Sequence, residues 1–472
     1  MTGEAPAGLK AGALKTRDVV IMALASSGPT QSVAVSLAAI LATVAYAGFV
    51  PLVICFVPML GIALGYQRLN AWQPSAGATF SWVGRVLNPH LGFFAGWIML
   101  LYYTVGTISL TIPLGSYVLS FVSDAAANNS VAVAAVGSVL NVVVLVIAVL
   151  GVEASARFQW GWALFEYLLL AGFAVAAVVA ISSGSLAGAV TPSADWFTVS
   201  GAGGFGQLIS GILLAIFLFS GWDTAAYVGE ETERKHAGRA AVLSVVVLFV
   251  IYSISLLAFQ GVASMDEMQD HAANILAFVG TRLGGPFWGS VMIIAVLGGT
   301  LASLQAAIVS SSRIGFAMGR ARVFPSWFGR VRATNGIPVN ATVLFGVLNL
   351  VFLWATTLFD SIGEALQDIV STLGLMAALF YLLTAVAAIW CHRQQVLTSA
   401  KDFVLGALLP GLGAVFMGFV VVASIADGDL DAVELWAGVG LVLFGFVLSF
   451  VSRLAGRSSF YTDPASAEIP DA

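Results

Sequence analysis

The sequence predicts an all-α integral membrane protein with twelve transmembrane helices. Its 472 residues are 59% apolar and only 9% charged, a composition that excludes an ordinary soluble globular chain. Apolar stretches of about 20 residues, the length that crosses a bilayer as a helix, recur along the chain. When the N terminus is placed in the cytoplasm, every one of the 19 Lys and Arg residues except Arg282 falls on the cytoplasmic side. In membrane proteins Lys and Arg residues are concentrated on the cytoplasmic side, so this separation supports the predicted number of spans.

Each span is expected to be a helix, because a segment in lipid must satisfy its own backbone hydrogen bonds and no alternating pattern of barrel strands is present. The twelve predicted spans are 19–42, 49–69, 89–121, 131–151, 157–182, 206–229, 238–262, 286–318, 338–359, 367–391, 402–426 and 432–453. They divide the chain into a cytoplasmic tail, a first repeat of helices 1–5, an inverted repeat of helices 6–10, helices 11–12 and a second cytoplasmic tail: 1–18, 19–182, 206–391, 402–453 and 454–472.

Several functional classes receive no support from the residues. The net charge of −5 and the short loops offer no basic patch for nucleic acid. No glycine-rich phosphate loop, metal-binding histidine pair or Ser-His-Asp set is present, and the two cysteines predict no disulfide framework. The protein is therefore predicted not to be an enzyme and to need no cofactor or metal.

Two of the spans are interrupted in the middle. Span 1 contains Ser26-Ser27-Gly28-Pro29-Thr30, and span 6 contains Phe219-Ser220-Gly221-Trp222-Asp223. The interruptions are five spans apart, so the second group of five spans runs inverted relative to the first. Interrupted helices at matching positions of inverted halves indicate the substrate site of a transporter.

The first interruption has the chemistry of an anion site. Pro29 suits the first position of a restarted helix, because it lacks an N–H group and its φ angle is already helical. Free N–H groups at the positive end of this half-helix are expected to face the break and a substrate carboxylate. They belong to Ser27, Gly28, Thr30 and Gln31. The alternative is a proline kink with packed small residues.

The second interruption supplies the opposite polarity. Carbonyl groups from Phe217 to Ser220 are expected to end the first half of span 6 unpaired and to accept hydrogen bonds from an ammonium group. Asp223 lies at membrane depth, where an ionisable residue is a functional candidate. It pairs with a substrate amine, binds a proton, or fastens the break to a neighbouring helix. Phe217, Phe219 and Trp222 either close the pocket by aromatic and cation–π contacts or pack against lipid and core.

Further charged residues have two interpretations each. Glu166 in span 5 is surrounded by apolar residues, so it either binds a transported proton or is a buried hydrogen-bonding group. The charged segment 230–235 after span 6 forms a local charge network or a cytoplasmic gate. Among the arginines after span 8, which include Arg313 and Arg320, most set the topology and one is a candidate lock for that gate.

Four short stretches follow one another in a characteristic order and spacing: the broken span 1, then Gln73-Pro74-Ser75-Ala76-Gly77-Ala78 with Gly96-Trp97, then Phe219 to Asp223 with Gly229-Glu230-Glu231, and then Ser312-Arg313 through Phe324-Pro325 to Ile337-Pro338. In these stretches the chain resembles the amino acid–polyamine–organocation transporter superfamily, and the resemblance extends over residues 16 to 455. The resemblance implies a LeuT-type fold of two inverted five-helix repeats plus two extra helices, and secondary transport by alternating access. It implies a substrate site at the two breaks, with the carboxylate at span 1, the amine at span 6, an aromatic gate at Phe217 and an acid at Asp223. These site residues are Ser26, Ser27, Gly28, Pro29, Thr30, Phe217, Phe219, Ser220, Gly221, Trp222 and Asp223.

Two departures from the superfamily pattern bear on the coupling ion and on the substrate. Some proton-coupled members have a lysine where this chain has Glu166. The glutamate either titrates or helps to bind a cation, and Thr300 and Ser303 of span 8 could supply hydroxyl ligands to Na⁺. The first break is Ser-Ser-Gly-Pro instead of Gly-x-Gly, which brings an amine without an α-carboxylate into consideration.

The leading functional expectation is a permease of the cell membrane that imports an amino acid or related amine by proton symport. Both termini are expected in the cytoplasm, and the protein is expected to be a monomer or a homodimer. The alternatives are an amine or polyamine exchanger and a protein of the same fold that binds its ligand without transporting it.

Overall fold

The architecture is that of a computed structural model, which describes residues 8–127, 129–233, 236–271, 274–358, 362–426, 432–455 and 458–464. Parts of both predicted tails, and residues 234–235 of the charged segment, lie outside this set. In chain order the α-helices are α1 (Thr16–Ser26), α2 (Pro29–Val44), α3 (Phe49–Trp72), α4 (Thr79–Val86), α5 (Pro89–Ser120), α6 (Asp124–Ala127), α7 (Ser130–Leu150), α8 (Val152–Ser182), α9 (Phe205–Leu218), α10 (Thr224–Tyr227), α11 (His236–Phe259), α12 (Met265–Asp270), α13 (Ile275–Gly284), α14 (Pro286–Arg320), α15 (Val339–Ala355), α16 (Ile362–Cys391), α17 (Ala400–Phe403), α18 (Leu409–Ala426) and α19 (Ala432–Leu454).

A helix, or a run of consecutive helices, occupies each of the twelve predicted spans. Within the described ranges, ten helices are long and apolar enough to cross a membrane, which makes this a multi-pass membrane protein. Span 6 consists of two shorter pieces, α9 and α10, because the chain is interrupted between them. A short helix, α4, lies between spans 2 and 3. One turn of π-helix, Val404–Leu408, joins α17 to α18 in span 11.

Small residues let the helices cross at close range, as is typical of membrane proteins. A Cβ atom on Gly115 of α5 would lie 2.5 Å from the carbonyl oxygen of Val133 on α7. A Cβ atom on Gly238 of α11 would lie 2.7 Å from the Cα atom of Gln67 on α3. Larger side chains at these glycines would therefore push neighbouring helices apart.

Segments that the charge pattern assigns to the cytoplasmic side meet at one end of the helix bundle. The backbone N–H of Leu14, before α1, donates to the carbonyl of Glu231 after α10 at 3.0 Å. The ammonium group of Lys10 lies 2.6 Å from the carboxylate of Glu153 at the start of α8. We call this the Leu14 end of the molecule.

Segments assigned to the opposite side also meet one another. The rings of Tyr46, after α2, and Trp196, between α8 and α9, stack with their centroids 5.3 Å apart. The N–H of Val190 donates to the carbonyl of Gly261, beyond α11, at 2.9 Å. We call this the Tyr46 end of the molecule. The loops thus lie at two opposite ends, as expected for a chain that crosses a bilayer repeatedly.

Candidate functional site

The first predicted break is present. Helix α1 ends at Ser26 and α2 begins at Pro29. Between them Gly28 has a φ of 47°, in the left-handed region that side chains with a Cβ atom rarely adopt. A Cβ atom on Gly28 would also collide with the hydroxyl oxygen of Ser303 on α14. Glycine is therefore required here both by the backbone angle and by the lack of space.

The second predicted break lies directly against the first. The chain turns between the end of α9 at Leu218 and the start of α10 at Thr224. Gly221, with a φ of 98°, lies so close that its Cβ atom would be 2.8 Å from the carbonyl carbon of Ser26. The hydroxyl groups of Ser26 and Thr224 are 2.7 Å apart and share a hydrogen bond. The two interruptions thus form one structural unit.

A cavity opens beside this unit. The breaks contribute Ser26, Ser27, Phe217, Ser220 and Gly221 to its wall. The rest of the wall comes from α2, α5, α14 and α16: Gln31, Ser32, Tyr102, Tyr103, Gly106, Ser109, Leu110, Ser303, Ala307 and Leu373. Its volume is about 70 Å³, well below the roughly 300–1,000 Å³ of common ligand pockets. A ligand as large as an amino acid therefore needs some of these side chains to move.

Part of this wall was missed from the sequence. On α5, Tyr102, Gly106 and Ser109 recur at helical spacing and face the cavity together. A face of small and hydroxylated residues in a long apolar helix is the signal that marks them.

Six of the predicted site residues do not line the cavity: Gly28, Pro29, Thr30, Phe219, Trp222 and Asp223. Phe219 is fully buried, with its ring 6.3 Å from that of Tyr252. Trp222 is also buried and stacks on Tyr381 with the centroids 5.4 Å apart. These two aromatic residues pack behind the breaks, whereas Phe217 faces the cavity.

Asp223 is buried among tyrosine hydroxyl groups. Tyr103 and Tyr227 donate to its Oδ2 atom at 2.9 and 2.6 Å. Tyr381 donates to its Oδ1 atom at 3.0 Å. The tyrosines come from α5, α10 and α16, so the carboxyl group joins the second break to two long helices. Of the three roles considered for Asp223, this geometry favours the fastening role.

Glu166 on α8 occupies the place expected for a substrate carboxylate. Its Oε2 atom accepts hydrogen bonds from the N–H of Thr30 at 3.1 Å and from the Thr30 hydroxyl at 2.6 Å. The side chain is completely buried, and its Oε1 atom has no hydrogen-bond partner among the described residues. A Cβ atom on Gly299 would collide with this carboxyl group. An internal carboxyl group thus caps the first turn of α2.

Other backbone groups of the breaks are also paired. The N–H groups of Ser27 and Gly28 donate to the carbonyls of Ala23 and Ala25, at 3.3 and 3.0 Å. The carbonyl of Phe217, expected to be unpaired, accepts from the N–H of Ser220 at 3.0 Å and from its hydroxyl group. Their pairing reduces what the breaks can offer directly to a substrate.

The two hydroxyl groups considered as Na⁺ ligands donate to protein carbonyls. Thr300 donates to Val296 on its own helix at 2.7 Å, and Ser303 donates to Ala25 of α1 at 2.9 Å. The Ser303 bond joins α14 to the last turn of α1. In the part of the chain that the structure describes, no three His, Cys, Asp or Glu residues stand close enough to hold a metal ion.

Two ion pairs link α14 to the segment after α10, between the breaks and the Leu14 end. Arg313 donates to both carboxylate oxygens of Glu231, at 3.1 and 3.0 Å, and both side chains are almost completely buried. Arg320 pairs with Glu230 at 2.6 Å. Glu230 also accepts from the N–H of Ala76, before α4, at 2.7 Å. These contacts join α14, the segment after α10 and the segment before α4.

Comparison with known proteins identifies the family. A family model described as amino acid permease matches residues 14–450. The chain belongs to the amino acid permease family. One relative is the arginine/ornithine antiporter ArcD1 of Lactococcus lactis, 24% identical over 87% of this chain and 77% of that protein. The low-affinity putrescine importer PlaP of Escherichia coli is 25% identical over 85% of this chain and 86% of its own. The human large neutral amino acids transporter small subunit 2 is 22% identical over 84% and 71%. The resemblance to transporters of amino acids and polyamines is thereby confirmed.

Proposed function

We propose that the protein is a secondary active transporter that imports an amino acid or a related amine by alternating access, driven by protons. The observation that carries the proposal is the contact between the two helix breaks beside a cavity. Broken helices of this kind form the binding sites of transporters built from inverted repeats. The proposed arrangement is therefore the LeuT-type one, with helices 1–5 and 6–10 as the repeats and helices 11 and 12 outside them.

We assign the Leu14 end to the cytoplasmic side, because nearly all Lys and Arg residues lie in segments that the charge pattern places on that side. Gln31 and Ser32 follow the first break and lie on its Tyr46 side, and both line the cavity. The ion pairs of Glu230 and Glu231 lie on the Leu14 side. A cavity on the outer side and a barrier on the inner side correspond to the outward-facing stage of alternating access.

Glu166 is the proposed proton site. It is buried against the first break, between α1 and α2, and its Oε1 atom has no hydrogen-bond partner among the described residues. Binding of a proton there would change the hydrogen bonds of the Thr30 N–H and hydroxyl groups, which belong to the first break. Proton binding would in this way be coupled to movement of the first break. The alternative coupling ion, Na⁺, would be coordinated by the oxygen lone pairs of Thr300 and Ser303, which stay available while their protons are donated to the carbonyls of Val296 and Ala25.

Exchange is the second candidate mode, since ArcD1 is an antiporter. Measuring substrate uptake by purified protein in liposomes distinguishes symport from exchange. A symporter accumulates labelled substrate when an inward proton gradient is applied, and a proton uncoupler abolishes the accumulation. An exchanger requires substrate on the inner side and is insensitive to the uncoupler.

The variant Glu166→Gln tests the coupling. It should retain exchange of substrate across the membrane and lose accumulation driven by a proton gradient. Glu153→Gln, on the same helix but 42% exposed and paired with Lys10, is the matched control and should accumulate normally. Proton-driven accumulation by Glu166→Gln would refute the coupling role, and absence of any exchange in the parent protein would refute the transporter itself.

A further inference from the structure

The hydroxyl groups of the cavity wall have a shared polarity. Six of them donate their single proton to a protein acceptor and therefore present only acceptor lone pairs to a ligand. The acceptor of Tyr103 is the Asp223 carboxyl group, and those of the five serines are backbone carbonyls. The six are Ser27, Ser32, Tyr103, Ser109, Ser220 and Ser303.

Groups that could bind a carboxylate are scarce at the same place. Of the described residues that line the cavity, none is Lys, Arg or His. The N–H groups of Ser27 and Gly28 donate to carbonyls, and that of Thr30 donates to Glu166. The positive end of α2 is thus already neutralised by a carboxyl group of the protein. Among the described polar wall residues, Gln31 and Tyr102 carry side-chain donors that can face a ligand, whereas the Ser26 hydroxyl shares a hydrogen bond with that of Thr224.

The surroundings also suit a positive charge. The carboxyl group of Asp223 lies one hydrogen bond behind Tyr103, with 2.9 Å between the donor and acceptor oxygens. The aromatic rings of Phe217 and Tyr102 line the cavity, and such rings attract cations through their faces. Acceptor oxygens, aromatic faces and a nearby acid together recognise an ammonium group.

We infer that the substrate is a cationic amine without an α-carboxylate group, such as an alkyl diamine or a guanidino amine. This inference rests on the transporter function proposed above and narrows its substrate class. An α-amino acid would bring a carboxylate into a wall of acceptor oxygens, where the loss of its hydration would be poorly compensated.

The test compares ligands that differ only in the α-carboxylate group: putrescine with ornithine, cadaverine with lysine, and agmatine with arginine. Each is added to the purified full-length protein in a thermal-shift measurement and then used in counterflow by reconstituted liposomes. Ligands that bind the folded state raise the melting temperature. We expect at least one amine to raise it and to support counterflow, with its amino acid partner about tenfold weaker or inactive.

The outcomes separate the two proposals. Counterflow by the amino acids that equals or exceeds that of the amines would overturn the substrate class and leave the transporter standing. Stabilisation by amines without counterflow would support the substrate class and overturn transport. No response to either set would overturn both.

Two substitutions test whether the amine binds at these hydroxyl groups. Tyr103→Phe removes one acceptor oxygen from the wall and should weaken amine binding about tenfold, the effect of one hydrogen bond to a charged group. Because Tyr103 also bonds Asp223, Ser109→Ala provides a second, less disruptive variant and should weaken binding in the same direction. Ser210→Ala is the matched control, since Ser210 donates to its own helix at an exposed position. Unchanged amine affinity in both Tyr103→Phe and Ser109→Ala would overturn the assignment.

Discussion

The buried pair of Glu231 and Arg313 allows a quantitative prediction about the barrier proposed above for the inner side. The exposed fractions of the two side chains are 1% and 0%. Removing one partner of such a pair leaves a buried charge without its counterion and costs about 3–5 kcal/mol. In Glu231→Gln the amide oxygen still accepts one hydrogen bond, so we take the lower value. Opening of the barrier would hydrate Arg313, so the penalty falls on the closed state.

A penalty of about 3 kcal/mol changes the ratio of closed to open molecules about 100-fold. Ser310→Cys, made in a chain that also carries Cys391→Ser to remove the partly exposed native thiol, reports this ratio, because Ser310 is fully buried on α14 one turn before Arg313. Inside-out membrane vesicles are treated with a membrane-impermeant maleimide, and the rate of labelling is measured. Glu231→Gln should raise the rate by at least about tenfold over the parent.

Glu267→Gln is the matched control. Glu267 pairs with Arg282 at 3.4 Å near the Tyr46 end, and 43% of its side chain is exposed. A pair of that kind contributes about 0–1 kcal/mol, so the labelling rate should not change. The double variant Glu231→Gln/Arg313→Gln removes both charges and should return the rate towards that of the parent. If Glu231→Gln is labelled at the same rate as the parent and has the same melting temperature, the reasoning is refuted.

The remaining predictions concern the two breaks. Asp223→Asn replaces a carboxylate that accepts from three tyrosines; since a hydrogen bond to a charged group contributes about 1.5–3 kcal/mol, we expect a lower melting temperature and strongly reduced counterflow. Normal counterflow would exclude a role for Asp223 in holding the site. Gly221→Ala forces a Cβ atom against Ser26 and should reduce ligand binding, as measured by thermal shift, whereas Gly172→Ala, which meets no neighbouring atom within 4 Å, should not. Gly28→Leu should abolish binding because of its left-handed φ and its collision with Ser303, and retained affinity would show that this break is only a kink.

The sequence was sufficient to predict the long apolar helices and the two interruptions, but not α12 and α13, which lie between the predicted spans 7 and 8. Apolar length determines where a segment can be buried in lipid, and the Gly28-Pro29 pair and Gly221 have local backbone requirements that are visible in the sequence. Contacts across the fold were not accessible in the same way. The Thr30 partner of Glu166 is 136 residues away, and the tyrosines bound to Asp223 include Tyr381, 158 residues away. Which donors remain free at a break depends on such contacts, so the expected anion site could not be checked from the sequence.

The two buried acids near the breaks differ in what a change in their bonding would do. Asp223 accepts from three helices at once, so any change there disturbs the wall of the cavity itself. Among the described residues, Glu166 accepts only from Thr30 and keeps one oxygen without a partner, so a change there acts on the first break, between α1 and α2. A device that couples an ion to movement needs a group whose bonding can change while the site stays intact. This requirement is met by Glu166, and it explains why the two carboxyl groups should respond differently to the same replacement by an amide: Asp223→Asn should impair binding, whereas Glu166→Gln should leave binding intact and uncouple it from protons.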